Sequence, residues 1–196
     1  MMHHSFVNIV RRSFLTLSIV LCLLECRGIE TYRDTLIQQI PSWVILSEME
    51  ETAAVHSDMG EETISIHLKD GLLSLDSENF LYQPDAEWIV ADCMIFDVDH
   101  DEKDEVLLHV WKKGSFGKYQ PFWREPDNKT FYSEHLFIYE WDRNSPDRLK
   151  PIWMSSAMPI FGKYVIIQEN GDILIISPDG SETLWRWEEW GLILIE

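Results

Sequence analysis

Basic residues are scarce: 16 Lys and Arg stand against 34 Asp and Glu, for a formal net charge of −18. Phosphate backbones are gripped by Lys and Arg, so this balance excludes a nucleic-acid binder. It also disfavours an anionic membrane surface. Cysteine is nearly absent. Of the 3 in the chain, Cys22 and Cys26 lie in the first 28 residues and Cys93 stands alone beyond them. One thiol makes no internal disulfide, so an apolar core has to hold the domain together. No apolar run reaches the about 20 residues that span a bilayer as a helix. Catalytic signatures are missing too: there is no G-x-S-x-G elbow, no H-E-x-x-H and no phosphate-binding glycine loop. Cys93 sits in the apolar run A-D-C-M-I-F, which suits a buried structural thiol rather than a nucleophile. His67 and His109 fall inside strand-like patterns, where a structural imidazole is the usual case.

What is present begins at the N-terminus. Arg11 and Arg12 precede S-F-L-T-L-S-I-V-L-C-L-L, residues 13–24. A basic start and an apolar stretch of that length predict a signal peptide over residues 1–28, with cleavage after Gly28. Kept uncleaved, the same segment would anchor the chain, and it is the one route to a membrane. Glu25 stands before Cys26, where a lipid-attachment site wants a small residue. Cleavage removes Arg11, Arg12, Arg27 and Glu25 and leaves residues 29–196 at about −20. That length suits one domain able to bury its own core. Cations and basic polymers are the natural partners of such a field, although acidity also serves plain solubility. The expected location is extracytoplasmic, secreted or in the cell envelope.

The mature stretch is written in short strands. T-I-S-I-H-L (63–68), L-L-S-L (72–75), V-L-L-H-V-W (106–111) and H-L-F-I-Y-E-W (135–141) are β-branched and aromatic runs, as are Y-V-I-I-Q (164–168), I-L-I-I-S (173–177) and E-T-L-W-R-W (182–187). Asp70-Gly71 between the first two is a hairpin signal. Residues 30–40 allow a short helix. Gly60-Glu61-Glu62 reads as a loop, and the longest loop runs from about Lys112 to Ser133. Trp43, Trp88, Trp141 and Trp187 recur at separations of 45, 53 and 46 residues, near the length of a four-stranded propeller blade. The fold expected is all-β and propeller-like, a short or incomplete set of antiparallel blades, with a β-sandwich as the alternative.

The most ordered use of the acidity is D-V-D-H-D-E-K-D-E-V, residues 97–106. Asp97, Asp99, Asp101 and Glu105 occupy positions 1, 3, 5 and 9, and Lys103 at position 7 can offer its backbone carbonyl. Calcium takes six to eight oxygens from a curled loop, and carboxylates at alternate positions of a tight turn converge on one ion. Strand-like residues flank the loop on both sides. Glu102 occupies position 6, where an EF-hand has Gly, and Leu108 occupies position 12, where it has Glu. The plainer reading is a solvated acidic turn.

The segment W-I-V-A-D-C-M-I-F-D-V-D-H-D-E-K-D-E-V-L-L-H-V-W-K resembles a blade of the FG-GAP/VCBS repeat group, extracellular propeller-forming repeats with a D-x-D-x-D-G-x-x-E/D loop that often holds calcium. G-S-F-G (114–117), P-F-W (121–123), H-L-F-I-Y-E-W (135–141), L-K-P-I-W-M-S-S (149–156) and the closing W-R-W-E-E-W-G-L (185–192) resemble a bacterial secreted branch of that group. The resemblance covers about residues 86–196. It implies metal ligands at Asp97, Asp99, Asp101, the Lys103 carbonyl and Glu105. Residues after Ser156 carry no second Asp-rich loop, and Glu102 departs from the group's Gly. The function expected is a non-catalytic binding or structural module of the cell surface, braced by calcium, with a surface polymer or a protein as partner. The alternatives are a carbohydrate-active hydrolase using paired carboxylates and an accessory subunit of a surface complex. The aromatics Phe116, Tyr119, Phe122, Trp123, Phe131 and Tyr132 of the long loop could stack on sugar rings, bind a peptide or cap the core.

Overall fold

The computed structural model describes residues 31–78, 80–114, 130–142, 145, 148–155 and 158–196. The predicted signal peptide and Phe116, Tyr119, Phe122 and Trp123 lie outside these residues. The chain divides into two compact units, Met1–Gln38 and Gln39–Glu196. In the first unit the described structure is one short helix, α1, over 31–37. No described helix is long and apolar enough to cross a membrane.

The second unit is all-β, as the strand patterns predict. Among the described residues twelve strands make three open, four-stranded antiparallel sheets. The first contains β1 (Met49–Ser57), β2 (Gly60–Lys69), β3 (Leu72–Ser77) and β4 (Phe80–Tyr82) in sequence order. The middle sheet contains β5 (Ile89–Phe96), β6 (Glu105–Lys113), β7 (Tyr132–Trp141) and β8 (Leu149–Met154). The third contains β9 (Tyr164–Ile167), β10 (Ile173–Ile176), β11 (Glu182–Glu188) and β12 (Gly191–Leu194). Each sheet is a meander of the size of one propeller blade. Three such units without closure describe a short run of blades and a layered sandwich equally well.

Alternation along β6 and β7 explains the layering. Val106, Leu108, Val110, Phe137, Tyr139 and Trp141 pack in one core with Ile64, Ile66, Leu68, Leu73 and Leu75 of the first sheet. Leu107, Leu136 and Ile138 point the other way and pack with Val165, Ile173, Ile175 and Leu192 of the third. Successive strand residues face opposite sides, so a strand buried on both faces reads as a continuous apolar run. V-L-L-H-V-W is such a run. Each fully hidden Leu, Ile or Phe contributes about 1.5–3 kcal/mol, and these two strands therefore anchor the unit.

Turn chemistry follows the sequence at one hairpin and departs from it at another. Asp70 and Gly71 both take left-handed φ, 51° and 70°, as a tight two-residue hairpin requires. Gly60-Glu61-Glu62 is strand rather than loop. Gly60 pairs with Ser57 and Glu62 with Val55, and the turn is made by Asp58 and Met59. The four regularly spaced tryptophans are not equivalent. Trp43 and Trp88 precede strands, whereas Trp141 ends β7 and Trp187 lies within β11. Cys93 is free and buried, and burial pushes its thiol pKa up, which leaves it inert.

Candidate metal centre

The loop between β5 and β6 folds back on itself through its own carboxylates. Asp97 accepts the N–H groups of Asp101 at 3.1 Å and Glu102 at 3.0 Å. Asp99 accepts the Asp101 N–H at 3.3 Å, and Asp101 accepts the Lys103 N–H at 3.0 Å. Asp side chains hydrogen-bond backbone two residues on more readily than most, so alternate Asp residues curl a chain. His100 and Glu102 sit at φ 64° and 69°. Left-handed backbone costs a non-glycine residue about 1–2 kcal/mol. Glu102 thus holds a turn that Gly would make more cheaply.

The curl brings carboxylate oxygens of Asp97, Asp99 and Glu105 to within 4.8 Å of one another. Glu105 is the unusual member, only 2% exposed. It starts β6 on the side facing the third sheet, and it accepts the Val98 N–H at 2.8 Å. Burial, with the charges of Asp99, Asp101 and Asp97 added, pushes its pKa up to about 8. Burial and the charges of Asp101 and Asp97 also raise Asp99. Among the predicted ligands Asp101 stands apart. Its carboxylate receives the Lys103 ammonium at 2.7 Å, and that hydrogen bond holds its pKa below the usual range. Lys103 also reaches Asp58 at 3.1 Å. Three of the four predicted carboxylates are therefore gathered, and the fourth is paired with the loop's own cation.

The donor set suits a hard divalent cation. A carboxylate hidden from water beside two like charges lacks compensation, and a bound cation supplies it. Calcium's remaining oxygens would come from carbonyls and water. The loop is also tied to its neighbours. Asp104 accepts the His56 N–H of β1 at 2.7 Å and pairs with its ring Nδ1 at 2.8 Å. Asp104 raises the His56 pKa. On the other side a Cβ at Gly171, in the β9–β10 turn, would meet the His100 ring at 2.8 Å. One loop of the middle sheet thus touches a strand end of the first and a turn of the third.

A second buried polar group, His109 with Glu134, lies on the same face. His109 Nε2 and Glu134 Oε1 are 2.7 Å apart, and the Gly162 N–H donates to both oxygens of Glu134 at 2.8 and 2.9 Å. The histidine reads in the sequence as structural, and the structure agrees. Nothing local in the sequence marks Glu134 as its partner.

Comparison with protein-family models, curated proteins and solved structures returned no match.

Proposed function

We propose that the chain is an exported, non-catalytic binding or structural module of the FG-GAP/VCBS kind, braced by calcium at Asp97, Asp99 and Glu105. The observation that carries this reading is Glu105, a carboxylate 2% exposed and set beside two others. With calcium bound, Glu105 and Asp99 stay ionised at neutral pH, and the loop is fixed against β1 and the β9–β10 turn. Asp101 and the Lys103 carbonyl complete the ligand set once the Lys103 ammonium gives way. The blade-like middle sheet supports the family reading, because the loop joins the first two strands of one meander.

The test is thermal unfolding of the purified protein with calcium and with a chelator. A ligand of the native state alone raises the melting temperature. The expected result is a rise of several degrees at millimolar calcium, abolished by Asp99→Ala. Coincident curves would sink the metal reading.

The hydrolase alternative needs a raised carboxyl group facing a cleft. Glu105 is raised, but it lines neither the cleft beside Trp88 nor the one between residues 57–59 and 140–142. The accessory-subunit alternative is favoured by one observation. Tyr164 and Ile166 of the third sheet are 44% and 41% exposed, Trp190 in the β11–β12 turn is 78% exposed, and Leu194 is 50% exposed. Sedimentation that stays monomeric and capture experiments unaffected by Ile166→Lys would remove that reading.

A further inference from the structure

A cleft of about 330 Å³ opens at the end of the first sheet, between the β2–β3 hairpin and residues 83–88. That volume lies at the small end of ligand sites, which run from about 300 to 1,000 Å³. It shares no residue with the 97–105 loop, so it stands apart from the metal. Its frame is fixed by backbone. Val90 N–H donates to the Gly71 carbonyl at 2.9 Å and Trp88 N–H to the Asp85 carbonyl at 2.9 Å. The Tyr132 hydroxyl donates to the Glu87 carbonyl at 2.8 Å. Walls held in this way need little ordering when a ligand arrives, which favours binding.

We propose that this cleft binds one neutral, hydroxyl-rich ring, a pyranose of a free or polymeric glycan. The lining contains the indole of Trp88, the apolar side chain of Leu72, and the polar groups of His67, Ser74, Gln83 and Asp85. His67 and Ser74 lie directly opposite in the β2–β3 register, on the face opposite core residues Leu68 and Leu73. The side chains of His67, Ser74 and Gln83 make no hydrogen bond to protein among the described residues.

Each other ligand class meets an obstacle. A cation drawn to an indole face would find the Lys112 ammonium already 5.8 Å from the Trp88 centroid. An anion would find one cation in the lining, Lys69, set against the two carboxylates of Asp70 and Asp85, under a field of net charge −18. A wholly apolar ligand would strip water from His67, Ser74 and Gln83 and give nothing back, which costs free energy at each. A sugar ring has the complementary pattern. Its C–H face packs on indole and Leu72, and its hydroxyls both donate and accept toward the polar side chains.

The experiment is saturation-transfer NMR and calorimetry on the full chain, with glucose, galactose, mannose, N-acetylglucosamine and their β-linked trimers as probes. Choline and benzoate serve as charged controls. Titrations run once in calcium and once in chelator, so that failure of the metal reading is seen separately. The expected result is saturable millimolar or tighter binding of at least one sugar. The Ser74→Ala/Gln83→Ala double variant weakens it about tenfold, as the loss of one or two hydrogen bonds predicts. Trp88 packs on Phe137 at 5.2 Å, so Trp88→Ala can disturb the core; the double variant, both changes on exposed or half-exposed residues, carries the test. The proposal is overturned if no sugar binds, if the double variant binds as tightly as the parent, or if choline or benzoate displaces the sugar.

Discussion

Glu105 and Glu134 begin as the same problem. They stand on adjacent strands of the middle sheet, face the third sheet, and are 2% and 1% exposed. A carboxylate taken from water costs several kcal/mol unless its oxygens are re-partnered. Glu134 is re-partnered by protein: His109 on one oxygen and the Gly162 N–H on both. Glu105 has the Val98 N–H, and its surroundings add negative charge rather than removing it. Burial alone therefore does not mark a functional acid. The contrast marks one group whose compensation is built in and one whose compensation has to come from outside the chain.

The largest expected effect follows from removing each in turn. Glu134→Ala leaves the His109 ring and the Gly162 N–H without their acceptor. At about 1–3 kcal/mol for each orphaned group, the loss of unfolding free energy should reach about 3–5 kcal/mol. Glu105→Gln keeps the shape and an acceptor for Val98 while removing the cost of holding a buried acid in its protonated form. In chelator it should be neutral or stabilising. Urea denaturation of both variants without metal measures the difference, and equal losses would erase the distinction. Gly162→Ala offers a milder check on the Glu134 side. Its Cβ would lie 2.9 Å from Glu134 Oε1 and from Ile175, so the loop has to move off its acceptor.

The next effect is a pH slope. Glu105 has a folded pKa of about 8 against an ordinary 4.5. Between those values the folded chain holds a proton that the unfolded chain has released. Stability is then fully present below about 4.5 and is lost as pH rises toward 8, because the folded state binds more protons. The loss should amount to a few kcal/mol at about 1.4 kcal/mol per pH unit. Calcium should flatten the slope by displacing that proton, and its binding should itself release protons. Denaturation midpoints at pH 5, 6, 7 and 8 in chelator, for the parent and Glu105→Gln, decide the matter. A parent slope no steeper than the variant's would mean that Glu105 is not the source.

Local features were legible in the sequence and distant pairings were not. The curl of residues 97–105 is visible because alternate Asp residues act within two to five positions of themselves. Of the strands that the pattern exposes, β2, β3, β6, β7, β9 and β10 each bury side chains in an apolar core, and β11 lays half-buried Trp185 and Trp187 against one. β1 was missed because M-E-E-T-A-A-V-H-S shows its acids to solvent and buries Val55 alone. β8 was missed because Pro151 interrupts it. An edge strand tolerates that residue, and the pairing slips where Pro151 meets Tyr139. The Glu134 site depends on the β6–β7 register and on a loop 28 residues away in sequence. Periodicity carries no trace of either.

The smallest expected effect tests where the outside compensation stops and the built-in kind begins. Lys103 is the loop's own cation, spent on Asp101 and Asp58. Its side chain is 29% exposed, so the pairs are worth no more than about 1 kcal/mol. Lys103→Met should change metal-free stability by less than that. It should also free Asp101 to join Asp97, Asp99 and Glu105, raising calcium affinity several-fold in a calorimetric titration. A fourth carboxylate without a competing ammonium strengthens a site through ligand charge. Weaker binding in this variant would mean that Lys103 shapes the loop for the ion. Asp101 would then belong, with Glu134, among the acids that the protein satisfies for itself.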